Sequence, residues 1–399
     1  MLFKITSPRL LVAICLIAPA HIACCHGAEP DSASVNVADA QTRLDSEPIV
    51  GVYYYPWYGV NDRPLDHDWD HVMRRKIVPP QLPRVGLYRS DDPQVISKHI
   101  QQSKRAGIDF WAVSWWGPNT PTDRTIRHAI LQHPDAAQLR YAILYEATGR
   151  LGSFASPDYR HLVDDFVYLQ ETFFGDPNYL RVDGKPVVFV YLTREYLRGR
   201  GSEELAALRE RVKNLFIVGD DVFGPGYRKK WAQPFDAVTA YDIYGQSTAL
   251  DEATTKAVET LARNYAHARR EANSVDVGFV PAVAPGYNDA AERQGHPGTA
   301  RKLIDDPTSK EGDLFRAMIR QAGLPHLDPA CGRLMMVTSF NEWYEDTQIE
   351  ATVGDQPATT RDSSSSGDYY TGGDEYVDYG SLYLDILREE TRGDAKLIR

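Results

Sequence analysis

Ile49-Val50-Gly51-Val52-Tyr53-Tyr54-Tyr55-Pro56-Trp57-Tyr58-Gly59 is the stretch that decides how the chain is read. Six of its first seven residues are β-favouring, and Pro56 ends the run. In an open, doubly wound nucleotide-binding sheet the turn after the first strand would carry G-x-G-x-x-G. Here that turn is Pro56-Trp57-Tyr58-Gly59, with no G-x-G-x-x-G.

Working outward, the same kind of run recurs. Strands are expected at Ile49–Tyr55, Phe110–Trp115, Tyr141–Tyr145, Val187–Tyr191, Leu215–Val218, Ala237–Tyr241, Val277–Val283 and Leu334–Phe340. Amphipathic stretches fall between them and predict helices at Pro93–Ala106, Thr122–Gln132, His161–Phe173, Glu203–Lys213, Thr254–Ala272 and Asp313–Ala322, with a last one at Ser381–Glu390. Alternating β and α units imply a parallel sheet with right-handed crossovers. Eight such units over roughly 340 residues fit a closed barrel better than an open sheet. The expected fold is therefore α/β, a single (β/α)8 TIM barrel spanning 48–399. Residues 60–91 and 351–377 form long loops after strand ends, where a barrel builds its site.

The N-terminus reads as an export signal. Lys4 and Arg9 precede an apolar run, Leu10–Ala20, that is too short to span a bilayer. Gly27 and Ala28 offer a cleavage point, so 1–28 is expected to be a signal peptide and 29–47 a polar linker. Lipidation at Cys24 is the competing reading. The mature chain is thus expected outside the cytoplasm, secreted or periplasmic, with no integral membrane span. Of four cysteines, three lie in or beside this leader, which leaves Cys331 and no disulfide framework. The absence of an Asn-x-Ser/Thr sequon favours bacterial export.

Net charge is −11, which disfavours nucleic acid as a partner and leaves neutral glycans unaffected. The 23 Tyr and 7 Trp suit an oligosaccharide or polysaccharide, whose apolar sugar faces stack on rings. Strand ends are rich in acids and aromatics: Tyr55 and Trp57, Trp115 and Trp116, Glu146, Tyr241, Tyr287, then Asn341, Glu342, Trp343 and Glu345. Glycosidic cleavage needs one carboxylic acid to protonate the leaving oxygen and a second carboxylate as base or nucleophile. Glu342 and Glu345 offer that pair, and an apolar neighbour such as Trp343 would raise one pKa. The same acids on a solvated loop would have no such role.

The stretch Ser339–Glu350 resembles the S-[FW]-N-E-W-H-E-G-T-Q-I-E hallmark of glycoside hydrolase family 99, the endo-α-mannosidase and endo-α-mannanase family. Tyr53–Gly59, Asp92–Asp109, Val113–Gly117 and Pro281–Tyr287 are similar to further family segments, so the likeness spans roughly 49–391. It implies a retaining mechanism through a 1,2-anhydro sugar. Glu342 would take the proton of the substrate's 2-hydroxyl, and Glu345 would act as general acid and then base. The resemblance also implies a donor-side role for Glu146, sugar stacking by Trp115 or Trp116, and hydroxyl donation by Tyr55 and Tyr241. It implies no cofactor and no metal. Tyr344 stands where the family motif has His, Asp346 where it has Gly, and the first loop reads Asp66-His67-Asp68-Trp69-Asp70-His71. Those departures bear on which α-linked glycan is cut.

Three alternatives accompany this reading. One is a non-catalytic glycan-binding barrel, which would tend to lose a glutamate that this chain retains. Another is a hydrolase of a different polysaccharide. The third is a metal-dependent hydrolase, for which the His67/His71 spacing on a helix is the sole hint. Asp220, Asp221 and Asp242 read equally as subsite acids or as turn and cap residues.

Overall fold

The computed structural model describes residues 47–60, 65–244, 252–296, 298–364 and 369–393. The expected leader, and all of the linker but Glu47, lie outside the described residues. From Glu47 onward the chain is one compact unit.

Among the described residues, eight parallel barrel strands stand where the sequence places them: β1 (Ile49–Tyr54), β2 (Phe110–Trp115), β3 (Arg140–Tyr145), β4 (Lys185–Val190), β5 (Phe216–Asp220), β6 (Ala237–Thr239), β7 (Gly278–Val280 and Ala282–Val283) and β8 (Leu334–Val337). Each pairs with the next in chain order, and β1 also pairs with β8, Ile49 opposite Leu334. The ring closes at β7, which is interrupted by Pro281. Its first half pairs with β6, Gly278 opposite Ala237, and its second half with β8, Ala282 opposite Met336. Proline has no N–H to give to the ladder. Its carbonyl still accepts from the Met336 N–H at 2.9 Å, so the seam holds.

Helices lie between the strands. Pro93–Ala106 shows why one forms here: Asp92 caps the Gln94 N–H, proline occupies the first turn, and Gly107 at φ 75° ends the helix. It buries Val95, Ile96, His99 and Ile100 against the barrel. The stretches expected as Thr122–Gln132 and Asp313–Ala322 are each an α segment continued by a π turn, Pro121–Thr125 with Ile126–Ile130 and Asp313–Met318 with Ile319–Gly323. Among the described residues no helix is long and apolar enough to cross a membrane.

Strand alternation divides the core into two shells. Val50, Val52, Tyr54, Trp111, Val113 and Trp115 pack outward under the helices. Tyr53, Tyr55, Phe110, Ala112, Ala142, Leu144, Val187 and Phe189 fill the barrel interior. A fully buried Leu, Ile, Val or Phe contributes about 1.5–3 kcal/mol, so both shells matter to stability. The interior is tight at the base: a Cβ on Gly51 would lie 2.0 Å from the Phe110 ring.

β8 stops at Val337, short of the expected Phe340, because the chain then folds back on itself. The Ser339 N–H donates to the Thr347 carbonyl at 2.8 Å and the Ile349 N–H to the Ser339 carbonyl at 3.0 Å. A buried polar cluster fastens the far end of this loop. Glu350 accepts from Tyr88 Oη at 2.9 Å and Trp343 Nε1 at 2.8 Å, and lies 3.0 Å from His99 Nε2. His99 Nδ1 in turn meets Tyr54 Oη at 2.9 Å. The first helix, the first loop and the last loop are thereby tied together.

Gly51→Ala is expected to cost about 1–3 kcal/mol through overpacking of the barrel base. Adding Phe110→Leu should restore part of that loss. Urea unfolding of the two variants checks it, and a neutral Gly51→Ala would refute the packing argument.

Candidate active site

The parity of the strands decides which terminal side chains meet at the mouth. On β3, Ala142 and Leu144 face inward, so Glu146 two residues on does as well. On β2 the inward set is Phe110 and Ala112, and Ser114 continues it. Ser114 Oγ donates to Glu146 Oε1 at 2.6 Å and accepts from Trp116 Nε1 at 3.0 Å. Burial pushes the Glu146 carboxyl up to about 8, with the charges of Glu345 and Asp220 adding to it and Ser114 opposing.

Glu342 and Glu345 sit on the turn that follows β8. Glu342 is 3% exposed. Its Oε1 accepts from the Tyr344 N–H at 3.0 Å, with Tyr58 Oη at 3.4 Å, and its own N–H donates to Ser339 Oγ at 2.8 Å. The Glu345 side chain keeps 22% exposure, with Oε1 4.0 Å from Arg293 Nη1. Its Oε2 accepts from Tyr241 Oη at 3.2 Å, and Tyr241 accepts from Tyr55 Oη at 2.7 Å. A chain of two phenols thus leads to one carboxylate.

Burial raises both acids, and their mutual repulsion adds to it for Glu342. Glu342 is held well above the usual carboxylate range, Glu345 at about 7. Arg293 and the Tyr241 hydroxyl hold Glu345 down, whereas Asp289 and Asp242 push it up. The pair therefore retains a proton near neutrality, as acid–base chemistry at that pH demands.

The other expected site residues divide into two groups. Trp57 lies at the mouth, 4.5 Å from the Tyr55 ring and stacked at 4.0 Å on His67, and Trp116 follows at 6.1 Å. Tyr287 is partly buried beside Tyr244 and His296 on the loop after β7. Trp115, Asn341 and Trp343 instead lie behind the cleft. Trp115 points outward and its Nε1 donates to Asp123 at 2.9 Å, so Trp116 is the ring of that pair at the mouth. Asn341 spends its amide on β1: its Oδ1 accepts from the Tyr55 N–H at 2.8 Å, and its Nδ2 donates to the Tyr55 carbonyl at 3.0 Å. Trp343, expected to raise the pKa of one of the two glutamates, gives its Nε1–H to Glu350 and packs 6.1 Å from Trp69.

The metal-like pair is not one. His67 and His71 are not on a helix. His67 stacks on Trp57, and burial lowers it to about 4, whereas His71 pairs with Glu292 at 3.0 Å. Asp220 is neither a cap nor an open subsite acid. It accepts from the Leu192 N–H at 2.9 Å and the Tyr241 N–H at 2.7 Å, joining adjacent strand ends. Asp221 accepts from the Val222 N–H at 2.8 Å and pairs with Arg198.

Sequence reading missed several participants. Tyr58 reaches Glu342 and also accepts from the Trp343 N–H at 2.9 Å. Ser114 stands out in the sequence as a small polar residue within the apolar run of β2, but the run alone does not say that it faces inward. Arg293 carried no local signal, because the loop fold alone brings it to Glu345.

Residues 73–376 match the sequence profile of glycosyl hydrolase family 99. This chain belongs to that family. It is a glycoside hydrolase. Mouse glycoprotein endo-alpha-1,2-mannosidase is 24% identical over 84% of this chain and 73% of its own length. A human glycoprotein endo-alpha-1,2-mannosidase-like protein is likewise 24% identical, over 84% and 73%. Among solved structures, a GH99 endo-alpha-mannosidase from Bacteroides thetaiotaomicron superposes with a TM-score of 0.62 at 22% identity, covering 86% of this chain and 96% of the other. That superposition supports the barrel.

Removing the Arg293 cation should raise the Glu345 pKa above about 7. An activity that needs Glu345 protonated falls as pH rises through that pKa. In Arg293→Met the alkaline limb of the kcat/KM profile should therefore move to higher pH. A pH–rate profile of both proteins tests this, and an unmoved or acid-shifted limb would exclude the pairing.

Proposed function

We propose that this family member is an endo-acting, retaining hydrolase of α-mannosidic glycans that uses the substrate's own 2-hydroxyl as nucleophile. The observation that carries the reading is the pair Glu342 and Glu345 on the turn after β8, both raised by burial, with Glu146 nearby and phenols aimed at one of them. The names of the mouse and bacterial relatives supply the α-mannoside and the endo action. The Trp57–Trp116 wall supplies faces for sugar stacking.

In this scheme Glu342 accepts the proton of the 2-hydroxyl as O2 attacks C1. The C1–O bond to the leaving sugar breaks, and Glu345 protonates the departing oxygen. Water then opens the 1,2-anhydro ring at C1, with Glu345 taking its proton and Glu342 returning one to O2. In the free protein the stronger upward push is on Glu342, which this role requires as an anion. A 2-hydroxyl donating to Glu342 favours that anion when sugar is bound. Each proton transfer contributes about two to four orders of magnitude in rate. The leader read at 1–28 goes with this function, because extracellular glycans are reached only by an exported enzyme.

Purified protein, incubated with α-mannans and glucosylated α-mannosides, should release oligosaccharides whose new reducing end is first formed as the α anomer. Glu342→Gln and Glu345→Gln should each lower release by about 100-fold or more. Full activity in Glu345→Gln would remove it as the acid, β-anomeric product would end the retaining scheme, and no release from any α-mannan would redirect the search to other α-linked polysaccharides.

A further inference from the structure

The residue after Glu345 is the centre of a buried ion cluster. Asp346 takes Arg74 Nε at 2.5 Å on one carboxylate oxygen and Arg301 Nε at 3.3 Å on the other. Arg301 Nη2 also donates to the Asp346 backbone carbonyl at 2.5 Å, and Gln348 Nε2 to its carboxylate at 3.0 Å. The three side chains are 1%, 2% and 3% exposed for Arg74, Asp346 and Arg301, so water does not screen them. Burial works against each charge, yet Asp346 is held below the usual carboxylate range by Arg301 and Arg74, and both arginines remain charged.

The cluster joins three loops. Arg74 lies in the short helix Met73–Lys76 of the first loop, Arg301 in the loop after β7, and Asp346 in the loop after β8. Its guanidinium groups are lidded by aromatic rings, Tyr376 over Arg74 at 5.2 Å and Tyr383 over Arg301 at 4.9 Å. The network then returns to the acid itself. Tyr376 Oη accepts from Asn288, whose N–H donates to the Glu345 carbonyl at 2.8 Å. Glu345 is thus gripped at its own carbonyl and at the next residue.

The backbone adds a second observation. Asp346 has φ 50°, a conformation glycine adopts freely and an L side chain only at a cost. The family motif has Gly at this place. An aspartate here accepts that cost, and what the side chain adds is the double ion pair. We propose that Asp346, with Arg74 and Arg301, is a positioning residue that holds the Glu345 carboxyl in line with the leaving-group oxygen. It touches neither substrate nor reacting atoms. The inference rests on the acid role proposed for Glu345.

The test compares two leaving groups. An α-mannan that the unaltered enzyme cleaves needs a proton on its departing sugar, whereas α-mannobiosyl fluoride releases fluoride with little help. For both, kcat/KM reports events up to bond cleavage. Asp346→Asn keeps the shape and removes the charge. It should lower kcat/KM on the mannan by about tenfold or more and on the fluoride by less than about twofold, because a misplaced acid matters only where protonation is needed. Arg74→Lys keeps a cation but loses the planar fork, and should show the same split to a smaller degree. It also carries the test if Asp346→Asn does not fold. Equal falls on both substrates would overturn the proposal, since a loosened fold does not distinguish leaving groups. Glu345→Gln run alongside separates the two readings: if it shows the split and neither clamp variant does, positioning alone fails. If Glu345→Gln shows no split, the acid assignment fails and the positioning role falls with it.

Discussion

Keeping carboxyl groups largely withdrawn from water is the constraint on which the mouth of this barrel depends. Glu146, Glu342 and Glu345 all lie where burial penalises the anion. An unpaired carboxylate in such a place would cost several kcal/mol. The structure offsets that cost with donors that are themselves neutral: Ser114 on Glu146, Tyr58 and a backbone N–H on Glu342, Tyr241 on Glu345. Neutral donors steady an anion without forcing it to form, so each acid remains able to take up and release a proton. Arg293, a cation 4.0 Å from Glu345, stays half in water, where its pull is moderated.

Behind the mouth the logic is different. There the charges are matched to hold position. Asp346 meets two arginines, and Glu350 meets His99 with two further donors. These clusters hold the loop just beyond Glu342 and Glu345, one against the first loop and the loop after β7, the other against the first loop and the helix Pro93–Ala106. The same loop is also stitched to β1 by Asn341. Catalytic geometry has to be held within a fraction of an ångström, and a loop alone would not do so. Breaking the Asp346 cluster would leave a buried charge without its partner, which is costlier than the loss of an exposed pair.

Tyr344 and Asp346, the two departures in the hallmark stretch, turn out to do unlike things. Tyr344 reaches across to the first loop, where its hydroxyl donates to the Asp68 carbonyl at 3.0 Å and its ring lies 5.2 Å from His67. It therefore belongs to the wall of the cleft and to the altered Asp66–His71 segment, so these changes act together. Asp346 points the other way, into the protein interior.

The amino-acid sequence by itself determined the barrel. Eight β-rich runs separated by amphipathic helices admit few topologies, because crossovers between parallel strands have one hand and the chain must bury both faces of the sheet. It also placed Glu342 and Glu345 at a strand end, since an apolar run breaking into acids is a local signal. Parity in β2 was harder to read. Trp111, Val113 and Trp115 are as apolar as Phe110 and Ala112, so a strand buried on both faces does not say which way Trp115 points. The helices under the barrel decided that. Asn341 looked like a sugar ligand until the closure of β8 on β1 used up its amide. Arg74, Arg293 and Arg301 lie far in sequence from the acids they meet, and no periodicity or spacing links them. Only the folding of three long loops onto one another brings their charges into contact, because pairing across the mouth depends on distance in space and not on distance along the chain.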